Sequence, residues 1–249
     1  MAGWTCKPDY AALVEDFGSL DAVFALVGEQ ITRDPISECI RIERNGVRYY
    51  VKRYWHGGKG RPVRRWLGRF FAKPRVKAEW QNLRRFARWG IPTAELVAYG
   101  LEREAGAFVR GALITRELPG TFDLAHIAHH QPQRLHGQWL RTISQHLAEA
   151  TRRLHAHHFA HNDLKWRNLL VDEAGKVFFI DCPTGAFWWG PFLRYRIVKD
   201  LACLDKVAKQ RLSRSQRLRF YLQYSRQERL SPSDKVRIRQ IVGFFEGRE

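Results

Sequence analysis

Apolar and polar positions alternate around residues 38 to 54 in the manner of two paired strands. Ile40 and Ile42 precede an Asn45-Gly46 turn, and Val47, Tyr49 and Val51 follow it. The pattern predicts a hairpin. Successive strand side chains face opposite sides, so Lys52 points away from the layer holding Val47, Tyr49 and Val51, where it can face a cleft. The period then changes: Val76, Trp80, Leu83, Phe86 and Ala87 recur at helical spacing between Lys73 and Trp89, and Gly90 and Pro92 supply the stop. Residues 95 to 118 read as two further strands. Residues 138 to 159 read as a helix with Leu140, Ile143, Leu147 and Leu154 on one stripe. After Asp200 the pattern is helical, with Ser213 and Ser231 as N-caps and Pro232 at a first helical position. Strands first and helices later predict an α+β fold.

Composition narrows the class. The chain has 249 residues, 45% of them hydrophobic, enough for one large domain or two lobes sharing a cleft. Forty-three Lys plus Arg against 25 Asp plus Glu leave a formal charge of +18, which favours nucleic acid, anionic membrane or phosphorylated ligands. Cys6, Cys39, Cys182 and Cys203 lie far apart without CxxC spacing, which suggests neither a disulfide framework nor a zinc site and fits a reducing compartment. The first residues lack the charged-then-apolar pattern of a signal, and Gly190 and Pro191 interrupt the longest apolar run, Ala186 to Leu193, so no membrane span is expected. Residues 53 to 78 carry Arg53, Lys59, Arg61, Arg64, Arg65, Arg69, Lys73, Arg75 and Lys77 with no acid. From Lys59 to Lys77 these bases interleave with Trp66, Leu67, Phe70 and Phe71. That suits an anionic membrane surface and equally a solvated basic face.

The densest chemical signal is His161-Asn162-Asp163-Leu164-Lys165-Trp166-Arg167-Asn168, followed by Leu169 to Val171, a turn at Asp172 to Gly175, and a strand ending at Asp181. It has the spacing of a kinase catalytic loop, H-x-D-L-K-x-x-N, with the strand-end aspartate beyond it. Phosphoryl transfer needs a carboxylate to orient the attacking hydroxyl and oxygen ligands to hold Mg²⁺ against the phosphates. Asp163 is the candidate base, Asn168 and Asp181 are the candidate metal ligands, and Lys165 would sit near the γ-phosphate. The same chemistry requires a strand lysine on the α and β phosphates and a helix glutamate paired with it. Lys52 in YYVK and Glu79, the only acid between Lys52 and Ile91, meet that demand. Ile114 to Leu118 would form the connector whose backbone holds adenine, which makes Glu117 and Leu118 candidate nucleotide contacts. Two lobes follow: residues 1–118 as a nucleotide-covering lobe of antiparallel sheet plus one helix, and 119–249 as a mainly helical lobe carrying the catalytic loop.

Through YYVKRY, KAEWQNLRRF, IPTAELVAYG, LITREL, HNDLKWRNLLV and IDCPTGAFWWGPFLRYRIVKDLACLDK, the chain resembles the lipopolysaccharide kinase family of WaaP and InaA type over roughly residues 30 to 210. The resemblance implies a protein-kinase-like fold, ATP and Mg²⁺ as cosubstrates, Asp163 as base, and a sugar of the lipopolysaccharide inner core, heptose or Kdo, as acceptor. The basic block and the aromatic cluster past Asp181 fit a cytoplasmic enzyme in peripheral contact with the anionic inner membrane, and no RNA or DNA motif is visible, so no nucleic acid partner is expected. The resemblance also makes Asp200, in Lys199-Asp200-Leu201, the aspartate that braces the catalytic loop. Several positions depart from the kinase pattern. Asn162 replaces the arginine that receives a phosphorylated activation loop. Residues 31 to 39 contain no glycine, Tyr50 stands where many kinases put a small residue above adenine, and His158 stands where this family type often has glycine. Only 68 residues follow Asp181, which favours a small or lipid-borne acceptor over a peptide. His155, His157, His158 and His161 lack a carboxylate or cysteine partner at ligand spacing and read as structural. Phe187, Trp188, Trp189 and Phe192 read first as core and second as an acceptor entrance. A small-molecule or protein kinase of the same framework and a non-catalytic pseudokinase are the competing readings.

Overall fold

In this computed structural model, which describes residues 2–56 and 73–247, strand pairing begins at the chain's N-terminal end. The strands β1 (Ala2–Cys6), β2 (Glu29–Asp34), β3 (Ser37–Arg44), β4 (Val47–Trp55), β5 (Leu96–Glu104) and β6 (Ala107–Arg116) form one antiparallel sheet in the order β1-β5-β6-β4-β3-β2. The expected hairpin is β3–β4, turning through Asn45 and Gly46 at φ 53° and 72°, the positive values that a two-residue hairpin turn requires and that this dipeptide supplies. The chain divides into two compact units, Met1–Arg84 with Ala94–Leu118, and Arg85–Thr93 with Pro119–Glu249.

Both faces of the first unit's sheet are covered. On one, the short helices α1 (Val14–Phe17) and α2 (Leu20–Ala25) bring Phe17, Leu20 and Val23 against Ile40, Tyr49, Val51 and Ile114. Ser19 caps α2 by accepting from the Ala22 N–H at 3.1 Å. On the other, α3 (Arg75–Arg88) lays Val76, Trp80 and Leu83 against Tyr54, Leu96 and Leu113. Each such fully buried side chain contributes about 1.5–3 kcal/mol of transfer free energy. Two residues depart from the sequence reading. Ala87, placed on the apolar stripe by spacing, is exposed. Arg53, counted in the basic block, is buried: it donates to the carbonyls of Val23 and Leu26 at 3.0 and 2.5 Å and to Glu38 at 2.9 Å. It therefore satisfies open carbonyls at the end of α2 and does not belong to a surface patch. Lys59, Arg61, Arg64, Arg65 and Arg69, with Trp66, Leu67, Phe70 and Phe71, lie outside the described residues.

The second unit contains α4 (Leu124–His130), α5 (Gly137–Ala156), α6 (Gly190–Arg211), α7 (Arg214–Ser225) and α8 (Pro232–Val242), a small sheet of β7 (Thr121–Asp123), β9 (Leu169–Asp172) and β10 (Val177–Phe179), and the pair β8 (Phe159–Ala160) and β11 (Ala186–Phe187). Leu140, Ile143, Leu147 and Leu154 of α5 are buried, as their stripe predicts. The helix stops at Ala156, three residues short of the expected end, because His158 takes φ 56° and Phe159 turns into a strand. The helix expected after Asp200 starts earlier, at Gly190. Ser213 and Ser231 do cap α7 and α8, each in a reciprocal capping box. On α6, which starts at Gly190 with Pro191 in its first turn and no side-chain cap, Asp200 falls midway along the helix.

Candidate active site

In the first unit, β4 and α3 bring two of the expected residues together. Lys52 is on the sheet face that α3 covers, and Glu79 is three residues after Val76 and four before Leu83, on the stripe that packs there. The Lys52 ammonium lies 2.6 Å from Glu79 Oε1, and the Tyr54 hydroxyl donates to Glu79 Oε2 at 2.6 Å. Glu79 is 1% exposed and Lys52 23%, so the carboxylate is fixed from both oxygens while the lysine keeps an open side. An acid buried at a helix–sheet interface is costly unless paired. The pairing explains why the apolar stripe tolerates it. Glu117 extends the β4–β6 ladder by donating its N–H to Arg48 O at 2.9 Å. Its carboxylate accepts from the Tyr50 hydroxyl at 3.3 Å, with Arg48 and Arg41 at 3.7 and 3.9 Å. The N–H of Glu117 is thus committed to the sheet. Leu118 is the last residue of the unit.

In the second unit, β8 leads into the loop that carries the acids. Asp163 is partly exposed, with Lys165 Nζ 2.6 Å from Oδ1 and Arg167 3.7 Å from Oδ2. Burial works to raise the Asp163 carboxyl, but the hydrogen bond and charge of Lys165, with Arg167 and Asn168 adding, outweigh it and hold the group below its usual value. Asn168 is buried and donates its amide N–H to the Asp163 carbonyl at 2.8 Å and to Oδ2 at 3.3 Å. Its carbonyl oxygen is therefore oriented opposite to Asp163. Asn168's backbone carbonyl in turn accepts from the Ile180 N–H at 3.0 Å, which places Asp181 one residue from that contact. Asp181 sits past the end of β10, which stops at Phe179, with φ 55°. Aspartate is one of the few residues that visits this region at modest cost.

The loop is held from below. Asp200 is fully buried on α6 and accepts the backbone N–H of His161 at 2.7 Å and of Asn162 at 2.8 Å, which lets Asn162 adopt φ 65°. His155 Nε2 lies 3.3 Å from Asp200 Oδ2, the oxygen that accepts from His161, while Asn162 donates to Oδ1, and His155 Nδ1 is 2.8 Å from the Tyr224 hydroxyl. The sequence contains no signal that would reveal Tyr224, since its partner lies 69 positions away on another helix. The His161 ring is buried among Phe86 and Phe179, and burial lowers its pKa, so it is neutral. Trp166 anchors the following turn by donating to Leu204 O at 2.9 Å.

One expectation is overturned here. Phe187, Trp189 and Phe192, read as core, are 37%, 64% and 71% exposed, and Tyr195 beyond them is 47% exposed. Trp188, read as core with them, stays half-buried with its backbone N–H donating to His158 O at 2.8 Å, and Phe187 still meets Phe159 edge-on at 5.2 Å.

Taken unit by unit, the second unit's loop can orient a hydroxyl with the Asp163 carboxylate, and the first unit's Lys52, fixed by Glu79, can offer its ammonium to phosphate oxygens. Over residues 25–224 the sequence matches the lipopolysaccharide kinase (Kdo/WaaP) family. Among solved structures the chain is similar to "WaaP in complex with acyl carrier protein", with TM-score 0.75 and 22% identity over 99% of this chain and 97% of that one, a likeness of fold. No curated protein matches the sequence.

Proposed function

The chain belongs to the lipopolysaccharide kinase (Kdo/WaaP) family, and on that premise we propose that it transfers the γ-phosphoryl group of ATP to a heptose hydroxyl of the lipopolysaccharide inner core. The family implies a kinase that uses ATP; the heptose acceptor and the residue roles are our reading. The observation that carries it is Asp163, an accessible carboxylate flanked by Lys165 at 2.6 Å and tied to Asn168. In this reading the acceptor hydroxyl donates a hydrogen bond to Asp163 and its oxygen attacks the γ-phosphorus. The bond from that phosphorus to the bridging oxygen breaks, and ADP leaves. The hydroxyl proton ends on Asp163. A carboxylate held below its usual range is a weak base, which suits a loose transition state in which the proton moves late and orientation matters most. Lys165 neutralises charge on the transferring group. Lys52, fixed by Glu79, grips the α and β phosphates, and Glu117 and Leu118 border adenine.

A Mg²⁺ ion held here would supply positive charge against the phosphates. Its protein ligands would be the Asn168 amide oxygen and the Asp181 carboxylate. Among the described residues no cluster of three or more His, Cys, Asp or Glu could hold a metal. The two-oxygen donor set fits a cation that takes one or two protein ligands and completes its shell with phosphate and water. Because ATP is cytosolic and the acceptor lipid-borne, the enzyme would work peripherally at the cytoplasmic face of the inner membrane. Among the described residues no helix is long and apolar enough to cross one.

The test is incubation of the purified protein with ATP–Mg²⁺ and truncated core lipopolysaccharides, with the added phosphate located by mass spectrometry. Phosphate on heptose, absent with Asp163→Asn, is expected. Phosphate on Kdo would overturn the acceptor assignment, and transfer undiminished in Asp163→Asn would overturn the site.

A further inference from the structure

Four large aromatic side chains stand exposed within nine residues of the second unit: Phe187, Trp189, Phe192 and Tyr195. Single exposed apolar residues are ordinary on any protein surface, but such a run is not. Its geometry is coherent. The rings of Phe187 and Trp189 stack with centroids 6.3 Å apart. Trp189, at the N-cap of α6, is followed by Phe192 and Tyr195 at intervals of three, which puts them on one side of the helix's first turns. The display is anchored: Phe187 pairs with Phe159 in the β8–β11 ladder, and Trp188 donates to His158 O at 2.8 Å.

The charge carried by this segment is of one sign. Between Asp181 and Asp200 the sequence has Arg194, Arg196 and Lys199 and no acid. Arg196 lies 4.3 Å over the Trp188 ring, Arg85 lies 5.2 Å over Phe187, and Arg194 is exposed. Trp and Tyr carry an apolar body with a polar tip and collect at headgroup depth, and arginine stems lie along apolar surface while the guanidinium stays with phosphates. The buried centre of a protein–protein interface is instead depleted of charge. The combination matches an anionic lipid surface better than a second protein.

We propose that the face formed by Phe187, Trp189, Phe192 and Tyr195 is a membrane-docking surface that inserts its aromatic rings into the interfacial layer of an anionic bilayer. It stands apart from the catalytic assignment, because vesicle binding needs neither nucleotide nor acceptor.

The test uses vesicles of phosphatidylethanolamine and phosphatidylglycerol, with pure phosphatidylcholine for comparison and without ATP or lipopolysaccharide. Wild-type protein is expected to cosediment with the anionic vesicles, and Trp189→Ser combined with Phe192→Ser to weaken partitioning by about tenfold or more, the loss of two buried aromatics. The thermal midpoint should not move, since both side chains are exposed. As a second readout, vesicles with brominated acyl chains should quench wild-type tryptophan fluorescence more than that of Trp189→Phe. Equal binding by the double variant, or equal quenching of Trp189→Phe, overturns the proposal. So does a wild-type dimer that ignores vesicles and dissociates in the double variant, which would make a second copy the occupant.

Discussion

Asp163 carries the proposed chemistry at the residue scale, and its neighbours set its titration. Burial alone would raise its carboxyl, while Lys165 and Arg167 keep it low and ionised at neutral pH. Lys165→Met removes the nearer cation and leaves burial less opposed. The carboxyl then rises, so the acid limb of the pH–rate profile should move to higher pH as kcat falls. An unmoved limb with reduced kcat would separate Lys165 from Asp163. The Lys52–Glu79 pair permits a cleaner division between stability and activity. Lys52→Met leaves a buried carboxylate without its ammonium, a change that costs about 3–5 kcal/mol where both partners are buried and less here, since Lys52 keeps 23% of its surface. Adding Glu79→Gln should recover most of that loss in denaturant unfolding while phosphoryl transfer stays abolished. His158 holds φ 56° without being glycine. His158→Gly is expected to raise stability by about 0.5–1 kcal/mol, the left-handed strain less the entropy that glycine adds to the unfolded chain.

At the scale of elements, α6 braces the catalytic loop through one side chain. Asp200→Ala leaves the N–H groups of His161 and Asn162 without their acceptor, each such buried group costing about 1–3 kcal/mol. Chemical denaturation should show the loss, and kcat should fall more than the affinity for ATP. The Tyr224–His155–Asp200 chain links α7 and α5 to this brace. The cap of α8 is acid-sensitive. Asp234 is held below its usual carboxyl value by its hydrogen bonds from Ser231 first and Tyr221 next. A group whose folded pKa is depressed contributes fully above its unfolded value, near 3.8, and loses that contribution as pH falls through the folded one. Acid should therefore loosen α8 below about pH 4, visible as faster amide exchange in residues 232–242, and Ser231→Ala, which lets the folded value rise toward the unfolded one, should make that pH dependence smaller.

For the molecule as a whole, binding of nucleotide to the folded state alone must raise stability by mass action. ATP–Mg²⁺ at a hundred times its Kd should add about 2.7 kcal/mol. The accompanying rise in Tm should be present in Asp163→Asn, which keeps the proposed phosphate contact Lys52, and largely lost in Lys52→Met. A Tm unaffected by nucleotide in the wild type would remove ATP from this site. The charge of +18 is not spread uniformly in effect: Arg53 is spent inside the first unit, whereas Arg194 accompanies exposed aromatic rings.

Features that depend on near neighbours were legible in the chain itself. The Asn45-Gly46 hairpin, the Ser213 and Ser231 caps and the α3 stripe rest on hydrogen bonds and periodicities a few residues long, so spacing alone specifies them; the loop from His161 to Asn168 was legible through its motif spacing, although Asp200 of α6 holds it. Glu79 stood out as the only acid in a run of bases between Lys52 and Ile91; its place beside the apolar stripe is tolerable because Lys52 and Tyr54 pair it. Tertiary structure decided the rest. The pairing of β1 with β5, the burial of Arg53, the reach of Tyr224 to His155 and the outward turn of Phe187 to Phe192 depend on segments far apart in the chain. A side chain's burial is a property of what packs against it, and that is settled only when distant elements meet.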